Sequence, residues 1–132
     1  PEEMKLLEDQ VFSIKCAMCS KSVLIYRKRN YFYYSNPGSI TRQQKDYSGD
    51  IVSCINYIYE DLSNCNSAYI YEYLCERFLP QKLEMLVAMC FKSFNTMALR
   101  KLNGEIDFFK YFKIFNFKTK LKYIILRMKG CI

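Results

Sequence analysis

The chain has 132 residues, enough for one domain with a modest hydrophobic core. Its composition, 51% apolar and 25% charged with twelve Tyr, ten Phe and no Trp, argues against disorder, because large rings bury enough surface to offset chain entropy. There is no His, which removes the commonest general acid–base, the commonest zinc ligand and any Ser–His or Cys–His dyad. A hydrolase or metalloenzyme is therefore disfavoured.

The net charge of +7 is unevenly distributed along the chain. Residues 1–99 contain eleven Lys or Arg and eleven Asp or Glu, whereas residues 100–132 contain nine and two. The seven cysteines are odd in number and irregularly spaced, and no secretory signal is visible, which favours free thiols in a reducing compartment over a disulfide framework. A cytoplasmic or nuclear location follows. The longest uncharged apolar run, residues 123–126, is too short to span a membrane.

The N-terminal third has the pattern of short strands and one helix. Apolar runs at residues 4–7 and 11–14, separated by the polar residues 8–10, predict an antiparallel hairpin. A short helix is expected over residues 16–27. The aromatic run at residues 31–34 predicts a strand that ends at the Ser-Asn-Pro-Gly turn of residues 35–38, and a further strand is predicted at residues 39–41.

The rest of the chain has helical periodicity. A helix is predicted from Ser48 to about Tyr59, a second is capped by Ser67, a third starts at Pro80 and a fourth at Asn95. Aromatic residues then form a helical face over residues 106–117, and basic and apolar residues alternate from there to residue 129. The order of elements predicts an α+β fold, with its strands near the N-terminus.

The pair Cys16 and Cys19 has the spacing of half a zinc site or of a thiol redox site. A structural zinc site needs four ligands, and the sequence has no second such pair and no His. A redox site is expected at a helix N-terminus with turn-forming residues between the thiols, but Ala17 and Met18 stand there. We therefore expect both thiols to be packing groups where the second strand meets the first helix.

Two features of the C-terminal third have alternative interpretations. The basic residues after residue 117 are interleaved with aromatics, which is typical of nucleic-acid binding, but they also fit a terminal helix that buries Leu121, Ile124 and Ile125 and keeps a basic face in water. A membrane-surface helix is a less favoured alternative, because the segment is short. The aromatic face at residues 106–117 is either part of the core or a surface for a partner.

Four segments in order resemble the S-phase-kinase-associated F-box adaptor family of cullin-based ubiquitin ligases, which has a BTB/POZ fold and is close to elongin C. These segments are MKLLEDQVFSIKCAMCSKSVLI, SGDIVSCINYIYED, FLPQKLEMLVAMCFKSFN and GEIDFFKYFKIFNFK. The resemblance implies a BTB/POZ-like domain at residues 1–102, with a small N-terminal β-sheet, and a C-terminal helical extension at residues 103–132.

The resemblance also implies a non-catalytic adaptor that joins a cullin-type scaffold to an F-box or similar receptor protein. It places cullin binding at Cys90 and Phe91. Receptor binding maps onto five C-terminal residues: Ile106, Phe109, Phe112, Ile114 and Phe115.

No catalytic residue, cofactor or metal is predicted, because the sequence lacks paired carboxylates, a phosphate-binding glycine loop and a nucleophile elbow. The basic tail stands where the family has an acidic one, and the family's Asn-Tyr pair at the cullin contact is replaced by Cys-Phe. Two alternatives are therefore kept. One is a helical interaction module without cullin binding, for example from a virus or a parasite, and the other is a nucleic-acid-binding domain.

Overall fold

The structure, a computed structural model, describes residues 4, 7–22, 46–93, 95–104, 106–130 and 132. Of these residues 77% are helical. We number the helices α1 (Glu8–Cys19), α2 (Ser48–Glu60), α3 (Ala68–Tyr73), α4 (Leu79–Ser93), α5 (Met97–Asn103), α6 (Phe108–Phe112) and α7 (Phe117–Met128). A 3₁₀ turn at Leu62–Asn64 follows α2, and a π-helical turn at Leu74–Phe78 joins α3 to α4.

The predicted α+β fold is wrong, because no strand occurs in the described part of the chain. The turn predicted at residues 8–10 is the first turn of α1, and the strand predicted at residues 11–14 lies inside that helix. Val11 and Met18, two helical turns apart, are both buried, so one helical face meets the core. The acidic Glu8 and Asp9 lie in the first turn, where they interact favourably with the helix dipole. The described residues therefore do not contain the BTB/POZ-like sheet that the resemblance implies.

Several of the N-terminal predictions fall outside the described residues. These are the strands at residues 31–34 and 39–41, the turn at residues 35–38 and the end of the helix predicted over residues 16–27. Residues 16–19 of that segment are the last turn of α1, and the described residues 20–22 lie beyond the end of this helix.

The prediction of a helix from Ser48 to about Tyr59 is confirmed by α2. Ile51, Ile55 and Ile58 are completely buried, and their spacing of four and three residues places them on one face of the helix. α2 packs against α1, α4 and α5, so the residues of this face contribute to a core that these helices share.

The predicted cap at Ser67 is also confirmed, but the helix predicted to start at Pro80 begins at Leu79 and follows α3 through a π-helical turn. The Ser67 hydroxyl accepts a hydrogen bond from the backbone N–H of Ile70, at 3.4 Å, and so caps α3. Pro80 lacks an N–H, and its ring crowds the carbonyl one turn earlier. The wider turn at Leu74–Phe78 ends two residues before Pro80, and the chain stays helical from α3 through this turn into α4.

α4 is the central helix of the domain. It packs against α2, α5, α7 and the π-helical turn. Its buried residues lie on one broad face that covers a little under half of the helix circumference, and they are Leu79, Pro80, Lys82, Leu83, Leu86, Val87 and Cys90. The division into residues 1–102 and 103–132 stays a prediction, and the packing of α7 on α4 brings the C-terminal helix onto this same core.

The prediction of a helix start at Asn95 agrees with α5. The Asn95 side-chain oxygen accepts a hydrogen bond from the N–H of Met97, at 3.3 Å, and thereby holds the first residue of the helix. Leu99 and Leu102 are buried on its inner face.

The position of Leu86 gives a test of this core. We expect Leu86→Ala to lower the free energy of unfolding by about 2–5 kcal/mol, because it removes a completely buried side chain from the centre of α4. Met97→Ala, at an exposed position of α5, should change it by less than about 0.5 kcal/mol. Urea unfolding followed by circular dichroism measures both, and equal losses would contradict the described packing.

Lys82 gives a second test, because its side chain is buried and its ammonium lies 5.1 Å from the centre of the Phe78 ring. Burial lowers the pKa of Lys82, whereas the Cys54 thiolate would raise it. The unfolded chain therefore binds the proton more tightly, and the wild type gains stability as the pH rises from the folded pKa to the unfolded pKa of about 10.4.

We expect Lys82→Met to raise the free energy of unfolding at neutral pH by about 1 kcal/mol, since an apolar side chain of similar length replaces a buried charge. The advantage should shrink as the pH is raised towards 10. Lys92→Met, at an exposed position of the same helix, is the control and should show neither effect. A gain for Lys82→Met that is the same at every pH would contradict the buried charge.

Candidate functional site

The candidate site is built by α6, α7 and the turn between them. Asp107 caps α6: its carboxylate accepts hydrogen bonds from the N–H groups of Phe109, at 3.1 Å, and Lys110, at 3.3 Å. The cap explains why a helix of only five residues begins here. Phe108 and Tyr111 point into the core, which leaves Phe109 on the outer face, 60% exposed.

α7 is fixed at both ends. At its start, the Asn116 side chain accepts a hydrogen bond from the N–H of Thr119, at 2.9 Å, and the Asn116 N–H donates to the Glu84 carboxylate of α4. At its end, the Arg100 guanidinium of α5 donates to the Gly130 carbonyl, at 2.9 Å. The direction of α7 on the core is therefore set by side chains from two other helices.

Four aromatic rings join α6 to α7. Phe108 and Tyr123 are stacked, with ring centres 5.2 Å apart and planes 9° from parallel. Phe115 meets Phe108 edge-on at 5.9 Å, and Phe112 lies 5.6 Å from Tyr123 and 6.2 Å from Phe115. Such pairs stabilise packing beyond their buried area. This cluster fixes which side of α7 faces inwards.

The inward face of α7 is not the one predicted from the sequence. Its buried residues are Thr119, Tyr123 and Leu126, whereas Leu121 and Ile124 are exposed and Ile125 is only partly buried. The prediction failed because α7 has apolar residues on two opposite faces. The aromatic cluster takes Tyr123 into the core, and Leu126 follows on the same side.

The outer face of α7 carries a continuous apolar row, which we call the C-terminal stripe. It consists of Phe117, Leu121, Ile124 and Met128, which are 79%, 49%, 43% and 82% exposed. The spacing of four, three and four residues places them in line along one side of a helix. Large side chains in a row, rather than scattered singly, are typical of interaction surfaces.

Basic side chains border this stripe. α7 contains Lys118, Lys120, Lys122 and Arg127 and no acidic residue. The Lys120 ammonium lies 6.0 Å from the centre of the Phe112 ring and donates to the Lys113 carbonyl, at 2.9 Å. Arg127 lies over the Phe109 ring at 5.2 Å. Contact with ring faces holds these charges beside the apolar surface.

A groove of about 460 Å³ adjoins the stripe between α6 and α7. Its lining residues are Phe109, Phe112, Tyr123, Ile124, Arg127 and Met128. Ile124 and Met128 belong to the stripe as well, so the groove and the stripe form one surface. Its apolar floor and charged edge fit a large apolar side chain of a partner.

The structure separates the residues predicted to bind a receptor. Phe109 and Ile114 are exposed and Phe112 is partly buried, so Phe109 and Phe112 can reach a partner at the groove. Ile106 and Phe115 are buried in the core. The stripe was not singled out from the sequence, although its spacing of four, three and four residues was readable there.

The two residues predicted to bind a cullin lie at the end of α4. Cys90 is buried and Phe91 is partly buried, with the Lys122 ammonium 5.8 Å from the centre of its ring. Phe91 therefore faces α7, whereas Cys90 lies close to the backbone of Leu99 in α5. Their binding role stays a prediction.

The phenols near the site are held neutral. Burial raises the pKa of Tyr123, and the nearby Arg127 lowers it by a smaller amount. Burial also raises the pKa of Tyr111, with smaller contributions from Cys75 and other tyrosines. Both groups therefore act in packing over the physiological pH range.

The Cys16–Cys19 pair is placed differently from the sequence prediction. Both thiols are exposed, so they are not packing groups. They lie in the last turn of α1, where the helix dipole disfavours a thiolate, rather than at the N-terminus where a redox pair is activated. They line an apolar groove of about 480 Å³ together with Phe12 and Tyr57.

Among the residues that the structure describes, no three His, Cys, Asp or Glu side chains form a group that could hold a metal ion. The helices in the same residues are all too short or too polar to cross a membrane. Comparison of the chain with protein-family models, curated proteins and solved structures finds no match.

The positions of the cysteines predict a pattern of alkylation. Treatment of the folded chain with iodoacetamide near pH 8 should modify Cys16 and Cys19 at least about tenfold faster than Cys54. Cys54 is completely buried, and this burial raises its pKa to about 11, against a smaller opposing effect of Lys82. Peptide mass spectrometry measures the rates. All sites should react alike in urea, and similar rates in the folded chain would contradict the burial of Cys54.

Proposed function

We propose that this chain is a non-catalytic interaction module that binds a partner protein through the C-terminal stripe and the adjoining groove. The observation that carries the proposal is that four large apolar residues lie in line on the outer face of a helix whose inner face is held in the core. The stability of the domain does not explain an outer row of this kind, since the core is already closed by Tyr123 and Leu126.

Burial of the stripe is large enough to support binding. Complete burial of one such side chain contributes about 1.5–3 kcal/mol, and Phe117 and Met128 are still mostly exposed while Leu121 and Ile124 are about half exposed. Together they supply on the order of 6 kcal/mol before the entropy cost of association. The groove adds a site for one anchoring side chain, which is how binding energy is concentrated in many interfaces.

The narrower role, an adaptor between a cullin-type scaffold and an F-box-like receptor, stays a prediction from the resemblance. The sheet that belongs to that fold is not found in the described residues. The apolar stripe and groove support a protein partner of any family. They support a nucleic acid less well, because its phosphates form polar contacts and would not pack on the apolar row.

The test is a double substitution in the stripe, Leu121→Asp/Ile124→Asp, with Phe12→Asp as the matched control. Phe12 is an exposed aromatic residue of α1, away from α7. Partners that co-purify with the tagged wild-type chain from extract are identified by mass spectrometry and then titrated, as purified proteins, against each variant. Circular dichroism and thermal unfolding establish first that both variants are folded.

We expect the double substitution to weaken binding of the purified partner by at least about tenfold, because charged side chains must then be desolvated in the interface. Phe12→Asp should leave the affinity within about twofold. Partners that bind the folded stripe variant and the wild type equally well would refute the proposal.

A further inference from the structure

The stripe has the spacing of a coiled-coil seam. Steps of four, three and four residues are those of alternating d and a positions of a heptad repeat, so Phe117 and Ile124 occupy d positions, and Leu121 and Met128 occupy a positions. A row this narrow fits one partner helix, whereas a helix that packs into a broad surface has a wider apolar face. From Phe117 to Met128 the seam is about 16 Å long, which is about three helical turns.

The residues beside the seam are basic on both sides. In the same heptad assignment Lys120 and Arg127 occupy g positions, and Lys118 occupies an e position. The e and g residues of paired helices face each other and determine which partner is accepted. Because α7 contains no acidic residue, its own sequence cannot supply the complementary charge.

We propose that the C-terminal stripe binds an acidic amphipathic helix of another protein. The a and d side chains of that helix pack on the stripe, one large apolar side chain enters the groove beside Phe109 and Met128, and Glu or Asp residues at its e and g positions face Lys118, Lys120 and Arg127. This inference rests on the proposed function and specifies the chemistry of the partner.

A partner helix fits the charges and the shape better than two other occupants. A second copy of this chain would bring the basic residues beside the two seams together, and like charges across a seam oppose pairing. An anionic membrane surface would satisfy the charges, but it offers no fixed side chain to fill the groove of about 460 Å³.

The experiment uses the full chain and two designed peptides of about three heptads, or 21 residues, with Leu at a and d. One peptide has Glu at all e and g positions, the other has Lys, and both have the same neutral residues elsewhere. Like charges at e and g keep each peptide from pairing with itself. Fluorescence anisotropy of the labelled peptides gives the dissociation constants.

We expect the Glu peptide to bind at least about tenfold more tightly than the Lys peptide. Leu121→Asp/Ile124→Asp should abolish its binding, and Phe12→Asp should not change it. The charge-reversal variant Lys120→Glu/Arg127→Glu should bind the Lys peptide more tightly than the Glu peptide. A gain of binding of this kind cannot come from a loss of folding.

Other results would overturn the inference and separate it from the proposed function. Equal binding of both peptides, lost in the stripe variant, would overturn the acidic specificity and leave an apolar protein-binding surface. Failure of both peptides, with stripe-dependent binding of a purified natural partner, would overturn the helical seam alone. If phosphatidylserine vesicles bind the wild type but not the stripe variant and the Glu peptide does not bind, the stripe is a membrane-contact surface and the inference is wrong.

Discussion

The fold depends on the burial of α4, in which every residue except Gln81, Lys92 and Ser93 is buried or partly buried. A helix in this position needs neighbours on several sides, and α2, α5 and α7 supply them. The completely enclosed residues of α4 lie on one broad face, and partly buried residues such as Met85 and Met89 flank it. One of its buried residues is charged, Lys82, and this charge is tolerated where its ammonium lies near the Phe78 ring. The π-helical turn before Pro80 lets the chain reach this central position without leaving the helical conformation.

The exposure of the C-terminal stripe is a consequence of the same arrangement. α7 packs on α4 and on the aromatic cluster through one face, which contains the buried residues Tyr123 and Leu126. Asn116, whose side chain caps α7 and whose backbone N–H donates to the Glu84 carboxylate of α4, fixes the rotation of α7 at its N-terminus. A helix with two apolar faces must then leave one of them outside. The surface is thus rigidly supported by the core, which lowers the entropy cost of binding at it.

The sequence predicted those elements whose signals are local. The isoleucines of α2 repeat at helical spacing, and Ser67 has the side chain that a helix cap requires. The strand predicted at residues 11–14 was wrong because a four-residue apolar run of this kind fits a strand and a helix equally well. The contact between α1 and α2 decides between a strand and a helix, and this contact cannot be predicted from the sequence of either segment alone.

The candidate site was partly predictable for a similar reason. Aromatic enrichment pointed to residues 106–117, and Phe109 and Phe112 do line the groove. The sequence could not tell which face of α7 would be buried, because the choice rests on the stacking of Phe108 with Tyr123. Local pattern showed that an apolar surplus exists near the C-terminus, whereas tertiary packing determined which residues carry it.

The position of the basic residues also bears on how the chain behaves at high concentration. At low ionic strength, the charges of Lys118, Lys120 and Arg127 repel the same face of another copy, which protects an apolar row that would otherwise favour aggregation. Added salt shortens the range of this repulsion to about 8 Å at physiological ionic strength and to about 3 Å at 1 M, while apolar contact is not weakened. Salt therefore has opposite effects on two kinds of binding at this face. It weakens the binding of an acidic partner, and it weakens the repulsion that keeps identical copies apart.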